Sequence, residues 1–234
     1  MPLESAIVVG NAGESPLLMA PYFTFESEVK PILHGGPLIG EYVFEQMHFH
    51  WSVDDFSGCE HLLDGQGYAA ECHFVHYNSK YESMEAAVGH PDGLAVVGFL
   101  LEAVDAPNPR FDRLVEGFER IKKSEHSVRV TSESLSWMDS DDLHEGNYVT
   151  YKGSLTTPPF TECVTWIIYE KPVHIGTEQV WYSALLKLIR SKLAVTDRRT
   201  DRQTHEYKGS VFFFFFVQNP KNTKHYNVAL SSHY

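Results

Sequence analysis

Strand-length runs with an apolar residue at every second position recur along the chain, and they leave few folds open. The clearest are Glu41 to Trp51, Tyr68 to Asn78, Leu94 to Ala103, Tyr148 to Leu155 and Glu162 to Glu170. Between and before them stand turn formers, His34-Gly35-Gly36-Pro37, Asp64-Gly65-Gln66-Gly67 and Pro91-Asp92-Gly93. Period-two alternation suits a strand with one face buried, and turn chemistry at such intervals joins strands through hairpins and longer crossovers. The expectation is a mixed α/β (α+β) fold, mainly β, built on one large, twisted, mostly antiparallel sheet. Helices are secondary: Phe111 to Lys123, behind Pro109, and Thr177 to Lys192, entered through Thr177 as a cap, have helical apolar spacing and suit the surface.

The chain has 234 residues, 43% of them hydrophobic and 21% charged, enough for a full core and far from disordered or disulfide-scaffold compositions. No internal repeat or interdomain linker divides it, so residues 1–195 are read as one domain. Residues 196–234 are a divergent tail of different character, with five consecutive phenylalanines, Phe212 to Phe216, that suit a strand buried on both faces and equally an aggregation-prone segment. A net charge of −12 argues against a nucleic-acid partner. The basic stretch from Lys187 to Lys208, seven cations against three anions, reads as solvated surface. The longest apolar run, Leu94 to Leu101, falls far short of the roughly 18 residues of a membrane span. Three cysteines, Cys59, Cys72 and Cys163, are too few and too odd in number for a disulfide framework, and residues 1–10 lack the pattern of a secretory signal; both fit a cytoplasmic protein.

Thirteen histidines make chance His-x-His pairs common, so context decides what such a pair means. His48-Phe49-His50 lies inside an alternating run, where residues two apart point to one face and both imidazoles project together. The next strong strand, Ala70 to His76, places Glu71, His73 and Val75 on one face and Cys72, Phe74 and His76 on the other, so one more imidazole can join the pair. Three neutral histidines converging from a sheet form the ligand set of a catalytic zinc site, with a fourth position open. Against this stands the blander reading of partly buried histidines satisfied by hydrogen bonds. A metal-bound histidine needs an acceptor for its other ring nitrogen; Gln46 shares a face with His48, and Glu71 with His73.

By these and further residues, the chain resembles the α-class carbonic anhydrases over about residues 30 to 190. Gln46 to Trp51, Glu60-His61, Ala69 to His76 and Asn78 to Tyr81 reproduce the family's zinc-binding stretch in order and spacing. Tyr151-Lys152-Gly153-Ser154-Leu155-Thr156-Thr157-Pro158-Pro159, followed by Glu162 to Trp166, and Pro91 to Gly98 are two further matches. The resemblance implies that His48, His50 and His73 bind Zn2+, that Thr156 accepts the hydrogen bond of a zinc-bound hydroxide, and that Glu60 accepts in turn from Thr156. It implies reversible hydration of carbon dioxide to bicarbonate and a proton, with weak esterase side activity. Gln46, Glu71, His61 and Tyr151 are expected as hydrogen-bonding supports around the ligands. Val75, Val96, Leu155, Val164 and Trp166 are expected to form the apolar wall for carbon dioxide, and Thr157 the polar side where bicarbonate leaves. A monomer is expected.

The sequence departs from the family in three places. The family's N-terminal aromatic cluster and active-site tyrosine are not matched, so Met1 is expected to fall inside the domain. Where fast members carry a proton-ferrying histidine, this chain has Asn11-Ala12-Gly13-Glu14, which leaves Glu14 as a weak shuttle and implies slow proton transfer. Residues 196–234 show no match to the family's closing segment, part of which anchors the second paired histidine, here His50, through a backbone acceptor. These altered ends keep a second reading open, a catalytically weak or silent carbonic-anhydrase-like binding or structural protein. A cupin-like metal protein is the third, and its glycine framing is not matched. Phe160 stands where extracellular members have a disulfide cysteine, and cytosolic members also carry a cysteine at Cys163.

Overall fold

The computed structural model describes residues 7–11, 21–25, 30–52, 54–120, 128–138, 146–182 and 228–230. Glu14, the basic stretch, the phenylalanine run and most of the expected second helix lie outside the described residues. The strands are β1 (Ile7–Asn11), β2 (Pro21–Phe25), β3 (Ile32–His34), β4 (Glu41–Trp51), β5 (His61–Leu63), β6 (Ala70–Asn78), β7 (Leu94–Val104), β8 (Val128–Val130), β9 (Tyr148–Gly153), β10 (Val164–Tyr169), β11 (Val173–Gly176) and β12 (Val228–Leu230). The helices are α1 (Met84–Ala87), α2 (Asp112–Arg120) and α3 (Thr177–Tyr182), with short 3-10 turns elsewhere.

One large sheet runs in the order β8-β1-β2-β4-β6-β7-β10-β9, with β3 added to β4 and β11 to β7. Every pair is antiparallel except β7 with β10 and β7 with β11. Parallel neighbours need a long crossover rather than a hairpin, and the chain between β7 and β10 provides it. A second, two-stranded sheet joins β12 to β5, so three residues of the tail pair beside Glu60 and His61. The fold is the mainly-β, mostly antiparallel architecture that the alternation predicts.

The turn between Leu63 and Gln66 explains itself. Asp64 and Gly65 both have positive φ, 51° and 80°, the mirror-image geometry that suits strand twist, and Leu63 and Gln66 exchange both backbone hydrogen bonds across it. The ends of β9 and β10 fall short of the alternating runs for an equally local reason. Residues 154–163 fold back on themselves, with the Leu155 and Cys163 amides both donating to the Thr161 carbonyl, so strand pairing stops at Gly153 and restarts at Val164. α2 begins after a 3-10 turn at Pro109–Phe111 whose first amides are capped by Asn108. The Thr177 hydroxyl donates to the Val104 carbonyl, tying α3 to the end of β7, while Gln179 Oε1 accepts from the Gly176 amide.

The sheet separates two cores. On one face Phe44, Met47, Phe49, Cys72, Phe74, Val97, Phe99 and Ile167 pack with Trp137, Phe111 and Leu114 of the covering turns and α2. Trp137 stacks on Phe111 and meets Phe99 edge-on. On the other face Val75, Leu94, Val96, Leu100, Val149, Tyr151, Val164, Trp166 and Ile168 pack with Cys59, Leu63 and Tyr68. Each fully buried side chain of this size contributes about 1.5–3 kcal/mol. β4 serves both cores through a bulge: the pairing with β6 slips between Phe44 and Gln46, leaving Glu45 as the extra residue. Phe44 therefore faces the aromatic core together with Met47 and Phe49, and the alternation is inverted on passing Glu45.

Candidate metal centre

The register of four strands assembles the site. His48 on β4 lies directly opposite His73 on β6, which lies opposite Gly98 on β7, which lies opposite Ile168 on β10. The neighbouring row reads Gln46, Val75, Val96, Trp166 and Tyr151, and the row on the other side pairs His50 with Glu71 and Glu71 with Leu100. All of these residues share one face, so three imidazoles, their acceptors and an apolar wall follow from pleat and register alone.

One nitrogen from each of His48, His50 and His73 lies within 4.8 Å of the others. Their ring centroids are 4.6–5.2 Å apart. His48 Nδ1 donates to Gln46 Oε1 at 2.8 Å, which leaves Nε2 with a lone pair facing His50 Nε2 at 3.0 Å. His73 Nε2 donates to Glu71 Oε1 at 2.6 Å, which turns Nδ1 toward the other two rings as the nitrogen able to ligate a metal. A tetrahedral zinc bound to imidazoles holds its donor nitrogens about 3.3 Å apart, so the set fits this metal in number, chemistry and spacing. His61, Glu71 and His73 form a second group of metal-ligating type. That group is already satisfied internally: Glu71 Oε1 accepts from His61 Nδ1 at 2.5 Å and from His73, and His61 Nε2 accepts from the Tyr151 hydroxyl at 2.6 Å.

Electrostatics prepare the ligands. Burial, helped by the neighbouring His73, holds His48 down to about 3, and burial with His73 and His48 beside it keeps His50 well below the usual imidazole range. Both present lone pairs at neutral pH. Burial also opposes a charge on His73, but Glu71, with Glu60 behind it, outweighs that and raises its pKa. Burial disfavours the Glu71 carboxylate as well, yet His61 and His73 hold it ionised, well below the usual carboxylate range. Its Oε2 accepts from the Glu60 and His61 amides at 2.9 and 2.8 Å.

Glu60 stands at the mouth of this network. Oε1 lies 3.4 Å from His50 Nδ1, and Oε2 lies 3.9 Å from His73 Nδ1. Burial raises its pKa against the opposing pull of His73 and a side-chain hydrogen bond with Thr156. Oε2 has no hydrogen-bond partner among the described residues and is an orphaned buried acceptor near His73. Thr156 sits in the fold-back after β9, which Trp166 pins by donating from Nε1 to the Ser154 carbonyl at 3.1 Å. The Trp166 ring meets His61 and His73 at centroid distances of 4.7 and 4.8 Å. Val75, Val96, Val164 and Trp166 are buried in one cluster, with Leu155 packed on it and Thr157 exposed beyond.

The structure thus brings His48, His50, His73, Gln46, Glu71, His61, Tyr151, Glu60 and Thr156 together, with the apolar residues alongside. Two features went unread in the sequence. One is the approach of Glu60 to the ligand rings; the other is Gly98, whose only sequence signal is a glycine in the middle of an apolar strand. The three cysteines are free and buried, and no described helix is long and apolar enough to cross a membrane.

Comparison with known proteins gives one family. Residues 5–209 match the eukaryotic-type carbonic anhydrases. Carbonic anhydrase 3 of Sus scrofa is 38% identical over 151 residues, 64% of this chain and 56% of that protein. The chain therefore spans little more than half the length of this relative. The match covers the three-histidine cluster, its supporting carboxylates and the fold-back that carries Thr156, and by it the chain belongs to the eukaryotic-type carbonic anhydrase family.

Proposed function

We propose that the protein is a zinc-dependent carbonic anhydrase that reversibly hydrates carbon dioxide to bicarbonate and a proton. The observation that carries this reading is the convergence of one ring nitrogen from each of three imidazoles beside a buried apolar wall. His48 and His50 would hold the ion through Nε2 and His73 through Nδ1. When bound there, zinc supplies a Lewis acid that makes water a nucleophile near neutral pH, as in the well-known carbonic anhydrase case.

The remaining work falls to the chain. Thr156 shares a hydrogen bond with Glu60. With the carboxylate as acceptor, the threonine hydroxyl must donate to it, so toward the ligand side Thr156 accepts and orients the attacking oxygen. Carbon dioxide is apolar and uncharged, so Val75, Val96, Leu155, Val164 and Trp166 can seat it by exclusion of water without a charged clamp. Thr157 lies on the wetter side, where an anionic product leaves. Gln46 and Glu71 fix the tautomers of His48 and His73, and Tyr151 holds His61 so that Glu71 stays in place. We further propose a cytoplasmic location, since Phe160 stands where extracellular members of the family carry a disulfide cysteine, and a monomeric state.

The deciding experiment is zinc per chain by elemental analysis of dialysed protein, followed by stopped-flow carbon dioxide hydration. One chelator-removable zinc with hydration that disappears in His48→Ala supports the reading. One zinc with no hydration above buffer favours a binding or structural protein, and no zinc in soluble protein rejects the reading.

A further inference from the structure

Gly98 occupies the centre of β7, a strand buried on both faces, where glycine is the least favourable choice for sheet stability. What surrounds it explains the choice. A Cβ built on Gly98 would come 2.6 Å from Ile168 Cδ1, 3.2 Å from Glu71 Oε1 and 3.7 Å from His73 Cδ2. These three contacts differ in how they can be relieved. Ile168 Cδ1 is the far end of a flexible side chain and can turn away. The Glu71 carboxylate cannot, because it is held by four hydrogen bonds, from His61 Nδ1, His73 Nε2, and the amides of Glu60 and His61.

We infer that Gly98 is a positioning residue for the metal centre: the absence of its side chain lets the Glu71 carboxylate lie under His73 and fix which nitrogen of that ring faces the metal. This rests on the zinc reading proposed above. A methyl group at position 98 would push Glu71 Oε1 outward by a few tenths of an ångström. His73 would follow through the 2.6 Å bond that joins them, and the Glu60 amide, which Glu71 also binds, would be disturbed at the same time. One glycine on β7 thus acts on a ligand of β6 and on the carboxylate beside Thr156, while touching no metal itself.

Gly98→Ala, Ile168→Val and the double variant separate positioning from packing, because Ile168→Val removes the Cδ1 atom that is the nearest clash and leaves the Glu71 contact in place. Each protein is measured in three ways: urea unfolding of the metal-free form, zinc affinity by competition with a chelator, and the visible spectrum of the cobalt-substituted form. A ligand support of this kind is worth 10- to 100-fold in metal affinity. The expected result is a zinc affinity lowered by about that factor in Gly98→Ala, with a changed cobalt spectrum. In the double variant stability returns toward that of Ile168→Val while affinity and spectrum remain altered. Recovery of affinity together with stability in the double variant overturns the inference and makes Gly98 a packing residue, as does a Gly98→Ala affinity within threefold of the parent. A parent protein that binds no zinc overturns the zinc reading and this role with it, whereas a parent that binds zinc normally confines any failure to Gly98.

Discussion

His76 lies on β6 three residues beyond His73, yet on the opposite face, packed edge-on against Phe44 and donating from Nδ1 to the Phe74 carbonyl at 3.0 Å. Burial, partly offset by hydrogen bonds to Phe74 and Ala95, holds its pKa down to about 4. An unfolded chain has a histidine near 6.5. Above pH 6.5 His76 is neutral in both states and makes stability independent of pH. As pH falls from 6.5 toward 4 the unfolded chain takes up a proton that the folded chain refuses, so stability drops by about 1.4 kcal/mol per unit. Between pH 7.5 and 4.5 this amounts to about 2.5 kcal/mol from this one residue. The test is urea unfolding of metal-free protein across that range, parent against His76→Asn, which keeps a donor near the Nδ1 position but does not titrate. The variant should be less stable at pH 7.5, from lost ring packing, and the gap should close by about 2.5 kcal/mol by pH 4.5. His34, Tyr148 and Tyr169, the other ionisable groups lining the cavity beside His76, are common to both proteins and cancel in the difference. A gap that stays constant with pH would refute the argument.

Three further outcomes are expected. Glu71→Gln removes the anionic acceptor beneath His73 and should lower zinc affinity 10- to 100-fold in a chelator competition; an affinity within threefold of the parent would make the carboxylate structural only. Thr156→Ala should leave zinc binding nearly unchanged while reducing carbon dioxide hydration about 100-fold by stopped flow, because it removes orientation rather than a ligand. With Glu14 where a shuttle histidine is expected, turnover should rise with added imidazole-type buffer. Hydration independent of buffer concentration would show that proton transfer does not limit it.

Alternation carried most of the fold, because strand period is a local property: β4 spans the residues its pattern marks, Glu41 to Trp51, and β7 extends one residue past its own. Turn chemistry at Asp64-Gly65 was equally local. What lay beyond local reading was anything set by a partner strand. From β6 alone His73 and His76 were equal candidates to join the histidine pair, and only the register that places His73 opposite His48 separates them. Gly98 stood out as a gap in an apolar run, but its cause is a carboxylate on β6 and a side chain on β10. The reach of Glu60 toward His50 and His73 likewise depends on how β5 and its preceding loop settle over β6, which no spacing encodes.

The bulge at Glu45 has a consequence for how this chain can vary. β4 carries two messages in opposite phase, aromatic toward one core at Phe44 and imidazole toward the other face at His48, and a single unpaired residue is the switch between them. Deleting Glu45 would set Phe44 directly before Gln46, opposite the adjacent residues His76 and Val75, so the pairing would run without a slip and each side chain would keep its face. A regular pairing that retained Glu45 would instead bring Phe44 into step with Gln46 and His48 and put a phenyl ring on the metal face. Length in the middle of this strand is therefore free by one residue at the bulge, where deletion yields an unbroken ladder, and constrained beside it, where a single added or lost residue would exchange the aromatic and imidazole faces unless another bulge absorbed it.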